Sequence, residues 1–171
     1  MKMTEAKVEM NSRAAAALKS VLSEVSTLKL KEIRCASAAS GRETGFVACV
    51  DVLGHSHTLA CAVKADTRPD NLRAALRELH ESAAHVAGDA TPVLIATYLS
   101  PEAQALCKES HAGFLDLQGN ARIAIGEVFI GKRTFPHSQV NPQMVAQAID
   151  SARDVHRGIL ASHSPALVAV A

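Results

Sequence analysis

"TLACAVKAD", Thr58–Asp66, decides how the rest of the chain is read. Thr58–Val63 is a largely apolar run that ends on one cation, Lys64. Every second side chain of a strand shares a face, so Ala60, Ala62 and Lys64 point the same way. Upstream, Phe46–Leu53 reads "FVACVDVL", a second apolar run interrupted by Asp51. Between them "GHSH", Gly54–His57, makes a short turn, and the two runs predict an antiparallel hairpin. Asp51 and Lys64 then fall on adjacent strands. One carboxylate and one ammonium by themselves make a poor Mg²⁺ site.

Outward from the hairpin, Ala14, Leu18, Val21, Leu22, Val25 and Leu28 recur at three and four. They predict an amphipathic helix over Asn11–Leu28, with Asn11 or Ser12 as its cap. "LKLKEIRCA" predicts a strand and "SGRETG", Ser40–Gly45, a turn. After Lys64, "TRPDNLRAALRELHESAAHVAG" predicts a helix opened by Pro69 and Asp70 and closed by Gly88. "TPVLIATYL" is a continuous apolar run of the kind buried on both faces in a central parallel strand. Ser100-Pro101-Glu102 opens a further helix, and up to three short strands follow, broken at Gly119-Asn120 and Gly126.

The order is helix, three strands, helix, strand, helix, strands. A parallel strand reached through a crossover helix after an antiparallel meander implies an α/β fold, a mixed sheet with helices on both faces. Residues 1–133 form that domain. Residues 134–171 supply a turn-like linker, "TFPHSQVNP", and then a last amphipathic helix and tail, with Asn141 as cap and Pro142 at the first position. The apolar residues of this helix suit a homodimer or another protein partner.

Composition bounds the function. Hydrophobic residues at 48% allow a core over most of the chain, while aromatics at 3% leave few platforms for stacking bases. With a net charge of +1, any nucleic-acid role needs a local basic patch. The four cysteines, Cys35, Cys49, Cys61 and Cys107, show no CxxC spacing and read as reduced, mostly buried thiols. No signal peptide and no membrane span is legible, so a cytoplasmic protein is expected.

Few residues offer chemistry. The spacing of Asp51 and Lys64 is similar to the D…(D/E)xK pattern of restriction-endonuclease-like enzymes. In that family the two acids hold Mg²⁺ and the Lys orients the attacking water. Here Ala62 stands in the middle acid's place. Glu24, Glu78 or Glu81 could replace the missing carboxylate from a helix, and only then would Mg²⁺ be implied; otherwise no cofactor is expected. His55 and His57 form an HxH in a turn, and His80 and His85 are five apart, off the spacing of helical metal ligands. No GxSxG, P-loop or GxGxxG is present. Arg68, Arg73 and Arg77 on one helix, and Arg122, Lys132 and Arg133 in the late strands, could join Lys64 in a phosphate-contacting surface.

Within Pro92–Arg133, Leu99-Ser100-Pro101, Gly113-Phe114-Leu115-Asp116 and Gly119-Asn120 keep the spacing of a bacterial family. The stretch from Phe46 to Arg133 resembles the AbiEi-like antitoxins and transcriptional regulators of type IV toxin–antitoxin systems. The resemblance implies a restriction-endonuclease-like core, often without an intact catalytic set, tied to DNA regulation. Such proteins commonly add a winged-helix domain, for which residues 134–171 are too short. Independently of the family, Gly119 and Asn120 both tolerate positive φ, and Asp116 can bond the amides of the turn they make. Three functions stay open: a catalytically degenerate, DNA-associated regulatory domain, an Mg²⁺-dependent nuclease, or a protein-interaction module.

Overall fold

A computed structural model describes residues 2–35 and 45–134. The chain divides into two units, Met1–Thr134 and Phe135–Ala171. The expected turn over 40–44, the linker and the helix from Asn141 lie outside the described residues. Helix α1 (Lys2–Ser23) is followed by strands β1 (Leu28–Cys35), β2 (Gly45–Val52) and β3 (His55–Lys64). Helix α2 (Pro69–Val86) leads to β4 (Thr91–Ala96) and α3 (Pro101–Glu109) to β5 (Gly113–Asp116), before β6 (Ala121–Ile125) and β7 (Val128–Lys132).

The seven strands lie side by side in chain order in one sheet. β1–β2–β3 and β5–β6–β7 are antiparallel meanders, and β3–β4–β5 is parallel. The mixed sheet with helices on both faces is therefore present as expected. Both crossovers step the same way across the sheet, so a common handedness puts α2 and α3 on one face. Leu72, Leu76 and Leu79 of α2 indeed share one apolar cluster with Ala103 and Cys107 of α3 and with Leu94 of β4. The other face carries α1, whose Ala14, Leu18 and Leu22 pack over Val50, Leu59, Ile95 and Ile123. Alternate residues of β4 thus enter different cores, Val93 and Ile95 one, Leu94 and Ala96 the other. That explains its unbroken apolar run.

Two expected boundaries move. α1 begins at Lys2 and ends at Ser23, so Asn11 is a mid-helix residue and not a cap. Past Ser23 the chain turns tightly, with Val25 N–H bonded to the Leu22 carbonyl at 3.2 Å and Leu28 N–H to the Val25 carbonyl at 3.0 Å. Leu28 then opens β1. The β2–β3 turn shrinks to Leu53-Gly54, with φ of 52° and 90°, and His55–His57 belong to β3. Two positive φ values give the backbone twist that matches paired strands, so a two-residue turn closes the hairpin tightly. α3 starts as read: the Ser100 hydroxyl accepts from Ala103 N at 3.1 Å, with Pro at the first position. Among the described residues no helix is long and apolar enough to cross a membrane.

Burial also sorts the thiols. Cys61 and Cys107 are buried, Cys49 is half-buried and Cys35 exposed. Loss of solvation pushes the Cys61 thiol far up and the Cys107 thiol up to about 12, which keeps both uncharged and unreactive.

Leu53 is a bulky residue held at positive φ with 63% of its surface exposed. Leu53→Asn relieves the backbone strain and removes no core contact. We expect it to raise stability by about 0.5–1 kcal/mol, read as a higher urea midpoint at unchanged slope.

Candidate nucleic-acid interface

Asp51 and Lys64 do share one face of the sheet, but they do not meet. Asp51 pairs with Ser56, beside the β2–β3 turn, and Ser56 lies eight residues before Lys64 on β3. At ~3.3 Å per residue the two are roughly 27 Å apart. An antiparallel register moves partners in opposite directions, so a residue near the end of β2 can only face the start of β3. The position opposite Ala62 is Gly45, which carries no side chain. Asp51 braces the turn instead, from the end of β2. One of its oxygens accepts from Gly54 N at 2.8 Å, and the other is 2.9 Å from the Lys31 ammonium. The Lys31 contact, and then the Gly54 amide, hold its carboxyl below the usual carboxylate range.

The substitute acids do not rebuild a metal site. Glu24 lies just past α1 and accepts from Lys132 at 2.6 and 2.9 Å. Glu78 stands 3.9 Å from Lys64, a loose pair with a single carboxylate, and Glu81 is exposed on α2. No group of three or more His, Cys, Asp or Glu side chains that could hold a metal occurs among the described residues. The residues proposed for Mg²⁺ therefore do not fit it, since that ion needs carboxylate oxygens converging at ~2.1 Å.

Asp116, Gly119 and Asn120 do come together, in a structural knot. Asp116 is 1% exposed. Its carboxylate accepts from Gln118 N at 3.0 Å, Asn120 N at 2.9 Å, Asn120 Nδ2 at 2.8 Å and Leu99 N at 3.3 Å. Asn120 Oδ1 in turn accepts from Thr134 N at 3.0 Å. One buried carboxylate thus ties the β4–α3 loop, the β5–β6 turn and the end of β7 together. Of the two turn residues only Gly119 takes positive φ, at 101°. Asn120 serves through its side-chain amide.

The basic residues of the late strands find a different setting. α2 and α3 pack on β3–β5, so on their side of the sheet β6 and β7 have no helical cover among the described residues. Strand alternation sends Ile123, Ile125 and Ile130 to the α1 core and leaves Arg122, Ala124, Phe129 and Gly131 exposed on the opposite face. Between that strip and the flank of α3 runs a groove. It holds two adjoining cavities of about 340 and 370 Å³ that share Lys108, Arg122 and Phe129. Lys108 comes from α3, His111 lies at one end and Arg133 at the other. The lining contains no acidic residue. Among the described residues no carboxylate pairs with Lys108, Arg122 or Arg133. The Arg122 guanidinium lies over the Phe129 ring, 5.4 Å from its centre.

The other predicted cations are elsewhere. Lys132 borders the groove, but its ammonium is neutralised by Glu24. Arg68 is locked to Asp66 at 2.6 Å, a contact that holds the Asp66 carboxyl far below its usual range. Arg73 and Arg77 are exposed on α2, with α3 between them and the groove. Lys64 faces Glu78. The single predicted surface therefore divides, and Lys108 joins the part that assembles. A lone lysine on α3 carried no sequence signal. His80, off the spacing of helical metal ligands, has a structural role: half-buried, it donates through Nε2 to the Ser110 carbonyl at 2.5 Å and pins α2 to the end of α3.

No protein-family model and no curated protein matches the chain. Among solved structures it is similar to EndoMS in its apo form, with a TM-score of 0.36 and 12% identity. The likeness covers 61% of this chain and 45% of that one, so the chain spans less than half of the protein it is matched to.

Two predictions follow from the two carboxylates. Asp51 has a depressed folded-state pKa, so its contribution is full above the unfolded carboxylate value near ~4 and fades as pH falls through the lower folded value. Asp51→Asn should lower the melting temperature at neutral pH, and the gap to the parent should close towards pH ~2. For Asp116, asparagine sets an amide donor against several N–H groups. Asp116→Asn should cost about 2–4 kcal/mol in denaturant unfolding, close to the cost of Asp116→Ala.

Proposed function

We propose that this chain is a nucleic-acid-associated domain of nuclease-like fold that grips phosphates without cutting them. One observation carries the reading: Lys108, Arg122 and Arg133 line a groove that has no acid in its walls. Three cations without carboxylate partners among the described residues form a surface that attracts an anion, whereas paired cations are already neutralised. A backbone with a phosphate at every nucleotide satisfies all three at once. The overall charge of +1 gives no general attraction to phosphate, so a local patch is what supports the reading.

The element order supports a restriction-endonuclease-like ancestry, with an antiparallel meander leading through α2 into a parallel strand. The distance between Asp51 and Lys64 supports the non-cutting half of the proposal. An AbiEi-like regulatory setting belongs to the same reading, though the residues of the "LSP…LD…GN" series explain the fold and not the role. Ser100 caps α3, Pro101 starts it, and Asp116 with Asn120 holds the knot.

Electrophoretic mobility of DNA fragments across a salt series tests this. If three cations displace counterions, log Kobs should fall against log salt with a slope of about −2 to −3. Lys108→Glu with Arg133→Glu should abolish the shift. Arg73→Ala with Arg77→Ala should weaken it much less, and added Mg²⁺ should yield no cleavage. A double charge reversal without effect, or Mg²⁺-dependent cutting lost in Lys64→Ala, would overturn the reading.

A further inference from the structure

Given that reading, we infer that the groove takes a single strand in preference to a duplex, with one base stacked at the Arg122–Phe129 pair. Shape is the first argument. Cavities of about 340 and 370 Å³ sit at the lower end of small-molecule clefts, room for a nucleotide or two. A duplex keeps its bases paired inside and would need a protruding element to enter its grooves. Here the basic groups line a recess, and Lys108 is half-buried in it.

The second argument is the ring. Phe129 is 60% exposed, and only it and Tyr98 are exposed aromatic rings among the described residues. The ring belongs to neither apolar core, so most of it is left in water beside three cations. Gly131, two residues on, leaves the space the ring occupies: a Cβ there would come within 2.9 Å of Phe129 Cε1. The ring is thus laid along the strand, and the exposed Arg122 guanidinium lies over it, 5.4 Å from its centre. A guanidinium is flat and weakly hydrated, so a base can extend the stack on the pair. Lys108 on α3 faces the pair across the groove and Arg133 lies beyond β7 at one end, so both suit phosphates that adjoin that base. Stacking is indifferent to base identity, so no sequence preference is expected.

Fluorescence anisotropy on the full chain tests the inference with three probes of equal length: oligothymidine, the blunt duplex, and an oligomer of abasic sugar phosphates. Oligothymidine should bind about tenfold more tightly than either of the others at matched salt. Phe129→Ala should weaken oligothymidine about tenfold and leave the abasic oligomer unchanged, while Phe129→Tyr should bind like the parent. Phe129 is exposed, so unchanged circular dichroism is expected for both variants. Equal affinity for all three probes, or an unaffected Phe129→Ala, overturns the single-strand inference. If that binding is still lost on Lys108→Glu with Arg133→Glu, the phosphate-gripping reading survives it. Absence of binding to every probe overturns both.

Discussion

The structure depends on three parallel strands that must be dry on both faces. β3, β4 and β5 sit mid-sheet, and β4 sends Val93 and Ile95 into one core and Leu94 and Ala96 into the other. Strands so apolar need a helix layer on each side, and the crossovers that connect them provide one of those layers. Seven strands at ~4.8 Å spacing span roughly 29 Å, while two helices of ~10 Å diameter cover about 20 Å. The helix layer is narrower than the sheet. Where it stops, β6 and β7 present a strip without helical cover among the described residues, beside the flank of α3, and the groove is the step between the two.

That geometry separates two kinds of polar residue. Asp116, Asn120 and Ser100 are spent inside the fold, satisfying amides that loops would otherwise bury unpaired. Among the described residues Lys108, Arg122 and Arg133 have no such employment. The contrast matters for the family resemblance, because its most regular residues are of the first kind. A shared turn and a shared helix cap can keep their spacing through many functions, since the backbone and not the ligand demands them.

Much of the architecture was legible in the chain. The heptad-like leucines of α2, the Ser-Pro start of α3 and the double-faced apolar run of β4 each have a local cause, and each element formed close to where it was read. The errors arose where one residue could serve two elements. Leu28 continues the helical period but belongs to a strand, and "GHSH" has turn composition although two of its histidines pair in β3 with β2. Pairing supplies hydrogen bonds that composition does not register.

The candidate site was legible only in fragments. Sequence alone determined that Asp51 and Lys64 lie on neighbouring strands and that Ala60, Ala62 and Lys64 share a face, because strand alternation is a local rule. Tertiary structure decided that Asp51 and Lys64 stand at opposite ends, because a two-residue turn sets the register and the register sets distance. It also chose which cations remain unpaired: Lys132 finds Glu24, Lys64 faces Glu78, and Lys108 meets Arg122 across a gap between a helix and a strand. Charge is written residue by residue, but pairing depends on which surfaces packing leaves open.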